Sequence, residues 1–479
     1  MSEDRFENDV EILEFLEELR ERKIQIWEEG EKLRYRVRNN QLNPETLAKL
    51  KRTKKQILNY FDMIARNTVP LTSIQAAYIV GQKTGCELGN INAHYYIEYK
   101  VQELDTKRLE QVINLVIVKN DALRMIITHE GNASFLEKVP YYSIQVYDAG
   151  WDQDKMRMRL ERSHHRYNYH KWPMFHFCVG KTGEKEWILH VDFDCVILDA
   201  WSAKLMLDEI FQLYCGKNIE FPGLSFKTYM RLKTYEANQK AEEYWKKQVQ
   251  NMPMYPKLNF RKEFKAVQDI KFDRVEYAFS LKETQRLYEK IRTYRFTPAA
   301  VISTIFMKTL AQYSEAPAVA VNVTLFNRQS LHEEVNQILG EFTNTAVISY
   351  RKGTDSILDT IRLTQNQMWK LVEYRGFDGT NILKWLSEGE HGKAIMPIVF
   401  TCMLAGNNSL TEERESPFRE EFAISQTPQV ALDHHVRDDL GYLKVSWDYV
   451  IELFDRQDIM EIFNTYVKGI EDFINNDIF

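Results

Sequence analysis

Cysteine is scarce, with Cys86, Cys178, Cys195, Cys215 and Cys402 the five present in 479 residues, and no two stand in C-x2-C spacing. An odd, scattered set of this kind supports neither a disulfide framework nor a zinc site. Long apolar runs are also missing. No stretch reaches the roughly 18 to 20 residues that cross a bilayer, and the acidic opening Met1-Ser-Glu-Asp-Arg5 is not a signal peptide. The sequence therefore predicts a cytoplasmic protein with no membrane partner. Basic blocks are absent too: the 63 basic and 69 acidic residues leave a formal charge of -6, spread over a mixed surface that argues against nucleic acid as a partner. No P-loop, G-x-G-x-x-G or adenylate-forming signature occurs. What remains is an ordinary globular composition, 44% apolar, 13% aromatic and 28% charged, on a chain too long for one core. Two large lobes with a small appendage are expected.

The appendage is residues 1–62. Apolar residues at 12, 13, 16 and 19 form one helical face. Lys23 to Glu28 and Lys32 to Arg38 alternate with period two around a Glu-Gly turn, which predicts a hairpin, and Asn43-Pro44 opens another helix. Lys32, Arg34, Arg36 and Arg38 fall on one face of the second strand. Leu19 to Arg36 resembles the N-terminal docking domains of the tubulysin-synthetase type. That resemblance implies capture of the acidic C-terminal tail of an upstream synthetase subunit by strand addition, with the four cations steering it.

The most informative stretch is His190-Val-Asp-Phe-Asp-Cys-Val-Ile-Leu-Asp-Ala-Trp-Ser202. It sets Asp194, Asp199 and Ser202 in a D-x4-D-x2-S array between an apolar strand, Trp187 to Phe193, and a helix from Ser202 to Gly216 with Ser202 as its cap. For a single aspartate there, a helix cap or a buried ion pair is the simplest account. The array resembles the core motif of the heterocyclization domains of nonribosomal peptide synthetases. These are relatives of condensation domains, whose motif at this place is His-His-x-x-x-Asp-Gly. Aligned on Asp199, Asp194 stands for the first histidine and Cys195 for the catalytic second, which disfavours an ordinary condensation enzyme. His164-His165 lacks the required aspartate and is expected to face solvent.

Further words follow in order: Thr68 to Gly81, a helix capped at Thr72 or Ser73 with Gln75 in its first turn; Lys119 to Arg124; Arg295-Phe-Thr-Pro298, opening a helix to Tyr313; Val319 to Arg328, a strand; Gly340-Glu-Phe-Thr343; Met396 to Thr401; and Ile424 to His434. Asn322 and Asn327 in or beside an apolar strand suggest a polar channel, since unsatisfied buried amides cost about 1 to 3 kcal/mol each. All but the channel argument resemble heterocyclization motifs. The resemblance implies an α/β fold of two chloramphenicol-acetyltransferase-like lobes in a V-shaped pseudo-dimer around a central tunnel. The expected N-lobe is 65–245, the C-lobe 250–479, with 251–256 as the connection. In the wider superfamily the arginine of the second motif pairs with the closing aspartate, so Arg124 is expected to pair with Asp199 and the core motif to be mainly structural.

The implied reaction condenses an upstream acyl thioester with carrier-bound cysteine, serine or threonine, then closes the side chain onto the new amide and expels water, giving a thiazoline or oxazoline. Condensation needs mainly positioning, whereas loss of the carbonyl oxygen needs a proton donor and a base. By carry-over Thr401 and Asp433 serve cyclodehydration, Asp433 with a pKa raised by a partly buried tunnel. Gln429 and Asn327 are expected to fix the amide. No metal or directly bound cofactor is called for; the arms are the phosphopantetheines of upstream and downstream peptidyl carrier proteins. A condensation-only enzyme and a non-catalytic docking scaffold remain alternatives. The chain is read either as a stand-alone subunit or as the N-terminal piece of a longer synthetase.

Overall fold

The structure is a computed structural model that describes residues 12, 15, 16, 18, 19, 21–30, 32–37, 42–83, 85–148, 152–233, 239–353, 356–387, 395–404, 417–439 and 441–476. In the appendage, β1 (Ile24–Glu29) and β2 (Lys32–Val37) pair antiparallel, turning at Gly30 with φ +59°. Beside them runs α1 (Pro44–Arg66), whose start is capped by Asn43 Oδ1 accepting from Thr46 N at 2.7 Å. Ile12, Phe15, Leu16, Leu19, Ile24, Leu50, Ile57 and Tyr60 make a separate small core. Phe15 thus joins the face expected from 12, 16 and 19; Leu13 and Arg38 lie outside the described residues. The helix α1 carries on past 62 and ends one residue before the next strand.

The N-lobe comprises β3 (Thr68–Pro70), α2 (Ser73–Gly81), β4 (His94–Gln102), α3 (Thr106–Lys119), β5 (Met125–Ile127), β6 (Asn132–Phe135), β7 (Gln145–Asp148), α4 (Asp152–Ser163), β8 (Phe175–Lys181), β9 (Glu186–Asp194), α5 (Ala200–Tyr214) and α6 (Phe226–Leu232). Thr72 caps α2 in a capping box with Gln75, as its spacing predicts. Strict alternation sorts β4 and β9 into two faces. Ile97, Leu189, Val191 and Phe193 join the core that also takes buried residues of α3 and α5, while Glu98, His190 and Asp192 point the other way and are buried as well. Helix α4 makes that burial possible: Arg159 pairs with Glu98, and Arg162 clamps both oxygens of Asp192 at 2.7 and 2.9 Å.

The C-lobe follows with α7 (Gln239–Val249), β10 (Phe272–Ala278), α8 (Leu281–Tyr294), α9 (Pro298–Gln312), β11 (Ala318–Phe326), β12 (Thr343–Arg351), α10 (Ile357–Glu373), α11 (Gly379–Leu386), β13 (Ile398–Cys402), β14 (Phe418–Gln426), β15 (Leu432–Asp439), β16 (Tyr442–Val450) and α12 (Arg456–Asn475). Its sheet runs β10-β16-β15-β13-β11-β12. Two findings revise the expected division. Trp245 of α7 is buried in the C-lobe core, so this helix packs with the C-lobe although it precedes residue 250. Conversely, β14 leaves the C-lobe and completes the N-lobe sheet, order β14-β4-β9-β8-β7, pairing Gln426 with His94. The histidine pair is also not solvent-facing. His164 is half-buried, its Nε2 accepts from Phe272 N at 3.3 Å across the lobes, and burial pushes its pKa down to about 4.

Candidate functional site

The core motif ends β9 and begins α5. Asp194 is fully buried; Oδ1 accepts from Val196 N at 2.9 Å and Oδ2 from Asn92 Nδ2 at 2.5 Å. Burial pushes its carboxyl up to about 7 despite those bonds. Asp199, not Ser202, is the helix cap, with Oδ1 accepting from Ser202 N at 2.6 Å. Both residues reach across to the C-lobe. Asp199 N and Ser202 Oγ donate to Gly340 O at 3.0 and 2.6 Å, Gly340 N donates to Ser202 Oγ at 3.0 Å, and Phe342 N donates to Asp199 Oδ2 at 3.2 Å. Gly340 is required by space: a Cβ there would lie 2.2 Å from the Phe226 ring.

The expected pairing of Arg124 with Asp199 is wrong. Arg124 binds the carbonyls of Ile117, Val118, Leu136 and Glu137, tying the end of α3 to the strand-end after β6. The cation beside Asp199 is Arg328, at 3.5 Å, which also donates to Ser202 Oγ at 2.6 Å and to the carbonyls of Val335 and Ile338. Backbone carbonyls at a chain reversal satisfied Arg124 locally, which left the aspartate to a residue of the other lobe.

Thr401 and Asp433 lie on neighbouring parallel strands. Register pairs Val399 with Asp433 and Thr401 with His435, so all four share one face of the sheet. Strand spacing and rise put the Cα atoms of Thr401 and Asp433 about 8 Å apart, diagonal neighbours. The other face carries Phe400, His434 and Trp447 into the core, where His434 Nε2 meets Tyr466 OH at 2.6 Å. On the polar face Thr401 donates to Thr324 Oγ1 at 2.9 Å, and His435 Nε2 stands 3.2 Å from Asp433 Oδ2 and 3.6 Å from Asp448 Oδ2. Arg274 clamps both oxygens of Asp448 at 2.6 Å. Asp433 Oδ1, buried, has no hydrogen-bond partner among the described residues, and neither does the Oδ1 of Asn322 or Asn327.

The charge of Asp433 is felt by two residues of the N-lobe. The phenol of Tyr78, on α2, is held well above its ordinary pKa by burial and by the charges of Glu341, Cys195, Asp433 and Asp199. The Cys195 thiol is raised by burial and by a set of carboxylates that again includes Asp433. Glu341, 1% exposed, accepts from Thr343 N at 2.8 Å and from Thr72 Oγ1 at 3.2 Å, and burial and Asp199 push it up to about 8. Gln429 sits in the turn between β14 and β15 with φ +64°, its N–H donating to Leu88 O at 2.8 Å. That turn presses Pro428 onto Gly81 at the end of α2, where a Cβ would come within 2.4 Å. The lobes therefore meet where the β14–β15 turn packs on the end of α2, through Pro428 on Gly81 and Gln429 on Leu88. His435, Tyr78, Glu341 and Arg328 were not singled out from sequence. His435 was within reach of a period-two reading from Asp433, and Arg328 directly follows Asn327.

A family model described as the condensation domain matches residues 65–477. The chain belongs to the condensation-domain family. A second model, the TubC N-terminal docking domain, matches residues 12–62. Within the family the likeness runs to heterocyclizing members. The EpoB NRPS cyclization-docking bidomain from Sorangium cellulosum superposes with a TM-score of 0.78 at 25% identity, covering 98% of this chain and 99% of that one. Pyochelin synthetase PchF of Pseudomonas aeruginosa is 27% identical over 479 residues, which is 95% of this chain and 26% of the relative. Phenyloxazoline synthase MbtB of Mycolicibacterium paratuberculosis is 25% identical over 79% of this chain and 33% of the relative. The chain thus spans about a quarter to a third of the length of these two curated relatives. The chain carries Asp194 and Cys195 at the end of β9, and no helix among its described residues is long and apolar enough to cross a membrane.

Proposed function

We propose that the chain is a heterocyclization domain with an N-terminal docking domain, joining a carrier-bound acyl thioester to carrier-bound cysteine, serine or threonine and cyclodehydrating the product to a thiazoline or oxazoline. The observation that carries this is the placement of Thr401 and Asp433 on one face of adjacent strands, in a chain whose β9–α5 turn holds no histidine. In the first step the acceptor amine attacks the donor thioester carbonyl, the donor arm leaves as a thiol, and an amide forms. Two tethered substrates held in register suffice for that. In the second, the acceptor side-chain heteroatom adds to the amide carbonyl, its proton passing to a base. The resulting hydroxyl then leaves as water with a proton from an acid, while the nitrogen gives up its own proton to form C=N.

Asp433 is the group for these transfers. Its unpartnered Oδ1 is free to take and return the proton, with His435 Nε2 3.2 Å from Oδ2, and Thr401, whose hydroxyl hydrogen goes to Thr324, offers its oxygen as an acceptor to the substrate N–H. Asn327 and Gln429 contribute amides for positioning. Asp199 and Ser202 act through structure, by locking α5 to Gly340 and Arg328, and Asp194 by holding the turn through Val196 and Asn92. The arms are phosphopantetheines of upstream and downstream carrier proteins, all working in the cytoplasm.

The docking reading rests on the hairpin. Lys32, Arg34 and Arg36 are exposed on β2, Arg34 already bound to Glu29 at 2.5 Å, and among the described residues each strand pairs only with the other. Such a hairpin can add an extended acidic tail as a third strand. Reconstitution with two loaded carriers tests the whole proposal. A product lighter by one water than the linear dipeptidyl thioester supports it. A linear thioester alone reassigns the chain to condensation, and no product to a scaffold.

A further inference from the structure

Three charged residues stand in one row across neighbouring antiparallel strands. Register sets Arg274 of β10 opposite Asp448 of β16, and Asp448 opposite Asp433 of β15. Two carboxylates directly across a strand pair repel and destabilise it, so their surroundings have to separate them. Those surroundings are unequal. Asp448, fully buried, is bound on both oxygens: Arg274 donates to Oδ1 and Oδ2 at 2.6 Å each, and Ser425 N donates to Oδ2 at 2.8 Å. It is a fixed anion. Asp433 has no such clamp, and its Oδ1 is without a partner among the described residues.

Between the two carboxylates stands His435. One pair further along the same face, its Nε2 lies 3.2 Å from Asp433 Oδ2 and 3.6 Å from Asp448 Oδ2. A ring nitrogen that close to two carboxylate oxygens carries its hydrogen, because a lone pair there would face acceptors on both sides. That N–H is in line with neither oxygen, so it acts on both by charge and not through a directed bond. The other charges of the face are occupied with one another. Arg437 and Lys444 both bind Glu420 of β14, and Lys444 stands 3.5 Å from Glu276 of β10. From the N-lobe, the two groups that sense Asp433, Tyr78 and Cys195, bring no positive charge. Among the described residues, no basic side chain other than His435 lies within ion-pair distance of Asp433.

We propose that His435 is a positioning residue of the cyclodehydration, setting the positive end of an N–H between Asp433 and Asp448 so that Asp433 stays ionised beside a neighbour of its own charge, with Oδ2 drawn to the ring and Oδ1 left for the substrate. This rests on the heterocyclase reading and adds a residue to its site. The proton path is unchanged: Asp433 Oδ1 takes the proton of the attacking heteroatom, and His435 exchanges none.

Two substitutions separate the N–H from the ring that carries it. His435→Leu removes the N–H, and His435→Gln returns one at the reach of Nε2. With reconstituted carriers, His435→Leu is expected to form the ring about 10- to 100-fold more slowly while the linear amide still forms, and His435→Gln to recover the ring to within about 5-fold of the unsubstituted chain. The pH profile separates positioning from a fault of folding. Without the N–H, Asp433 faces Asp448 alone and like charge disfavours its ionised form, so the acid-side fall of the cyclization rate is expected about 1 pH unit higher in His435→Leu and unmoved in His435→Gln. His435→Met carries the same expectation as His435→Leu, should that variant fold poorly. An unchanged ring rate without the N–H, an unmoved acid-side fall, or a loss that His435→Gln does not recover overturns the proposal. A second measurement needs no turnover. A double-mutant cycle of His435→Leu with Asp433→Asn, read by denaturant unfolding, is expected to depart from additivity by about 5-fold or more in the unfolding constant, and additivity overturns the proposal. If the cycle couples while the unsubstituted chain gives no ring, the heterocyclase reading fails and the setting of Asp433 by His435 stands.

Discussion

The replacement of Arg124 by Arg328 as the partner of Asp199 can be measured as a coupling energy. Arg328 Nη2 lies 3.5 Å from Asp199 Oδ1, both side chains are buried, and the same guanidinium stacks 3.9 Å over the Phe342 ring. At an effective dielectric constant near 20, two unit charges at that distance attract by about 5 kcal/mol. Desolvation offsets much of this, and the bonds from Ser202 N and Phe342 N already support the carboxylate. A net coupling of about 1 to 3 kcal/mol is expected. Arg328→Gln alone is expected to cost about 3 to 5 kcal/mol, because it also strands Ser202 Oγ and two carbonyls. The assay is a double-mutant cycle of Arg328→Gln with Asp199→Asn, read by denaturant unfolding followed through tryptophan fluorescence. A parallel cycle uses Arg124→Gln. That cycle is expected to be additive within about 0.5 kcal/mol, although Arg124→Gln itself destabilises by freeing four carbonyls. Additivity for Arg328 together with coupling for Arg124 would refute the reasoning and restore the pairing inferred from the superfamily.

Glu341 predicts a pH signature. Its carboxyl titrates near 4.5 when unfolded and at about 8 in the fold, so the folded protein holds the extra proton between those values. Its stabilising contribution is full below about pH 4.5 and is lost as pH rises through 8, on the order of 3 to 5 kcal/mol. Glu341→Gln should flatten that part of the stability profile, leaving a smaller slope from Asp194; an unchanged profile contradicts the assignment. Gly340→Ala should drive a Cβ into the Phe226 ring and lower stability by about 1 to 3 kcal/mol or more, measured by thermal unfolding. For the hairpin, Lys32→Glu with Arg36→Glu should weaken binding of a Glu-rich peptide by more than about 10-fold at low ionic strength and flatten its salt dependence, read by fluorescence anisotropy.

Much of this was legible where the determinants are local. The Thr72–Gln75 capping box, the turn at Gly30 and Pro298 at the start of α9 each fix backbone within four residues, so spacing alone finds them. Asn322, read as a sign of a polar channel, lies beside Val399 on the face that also carries Thr401 and Asp433. Illegible were the choices made across the chain. An amphipathic helix such as α7 states that it has an apolar face, not which core that face enters. Strand β14 alternates like any other, yet its partner β4 lies more than 300 residues earlier. Asp199 and Ser202 are both good caps by type, and only the bonds from Gly340 and Arg328 to Ser202 Oγ decide that the aspartate caps while the serine bridges. His164 looked exposed because its covering atoms belong to the other lobe.

The most direct test of the central claim is the mass of the carrier-bound product made by the unsubstituted chain, by Asp433→Ala and by Thr401→Ala from the same acyl donor and cysteinyl acceptor. The unsubstituted chain is expected to give the ring, lighter by one water, and both variants the linear amide, with condensation retained and cyclization lost. Normal ring formation by Asp433→Ala would contradict the account.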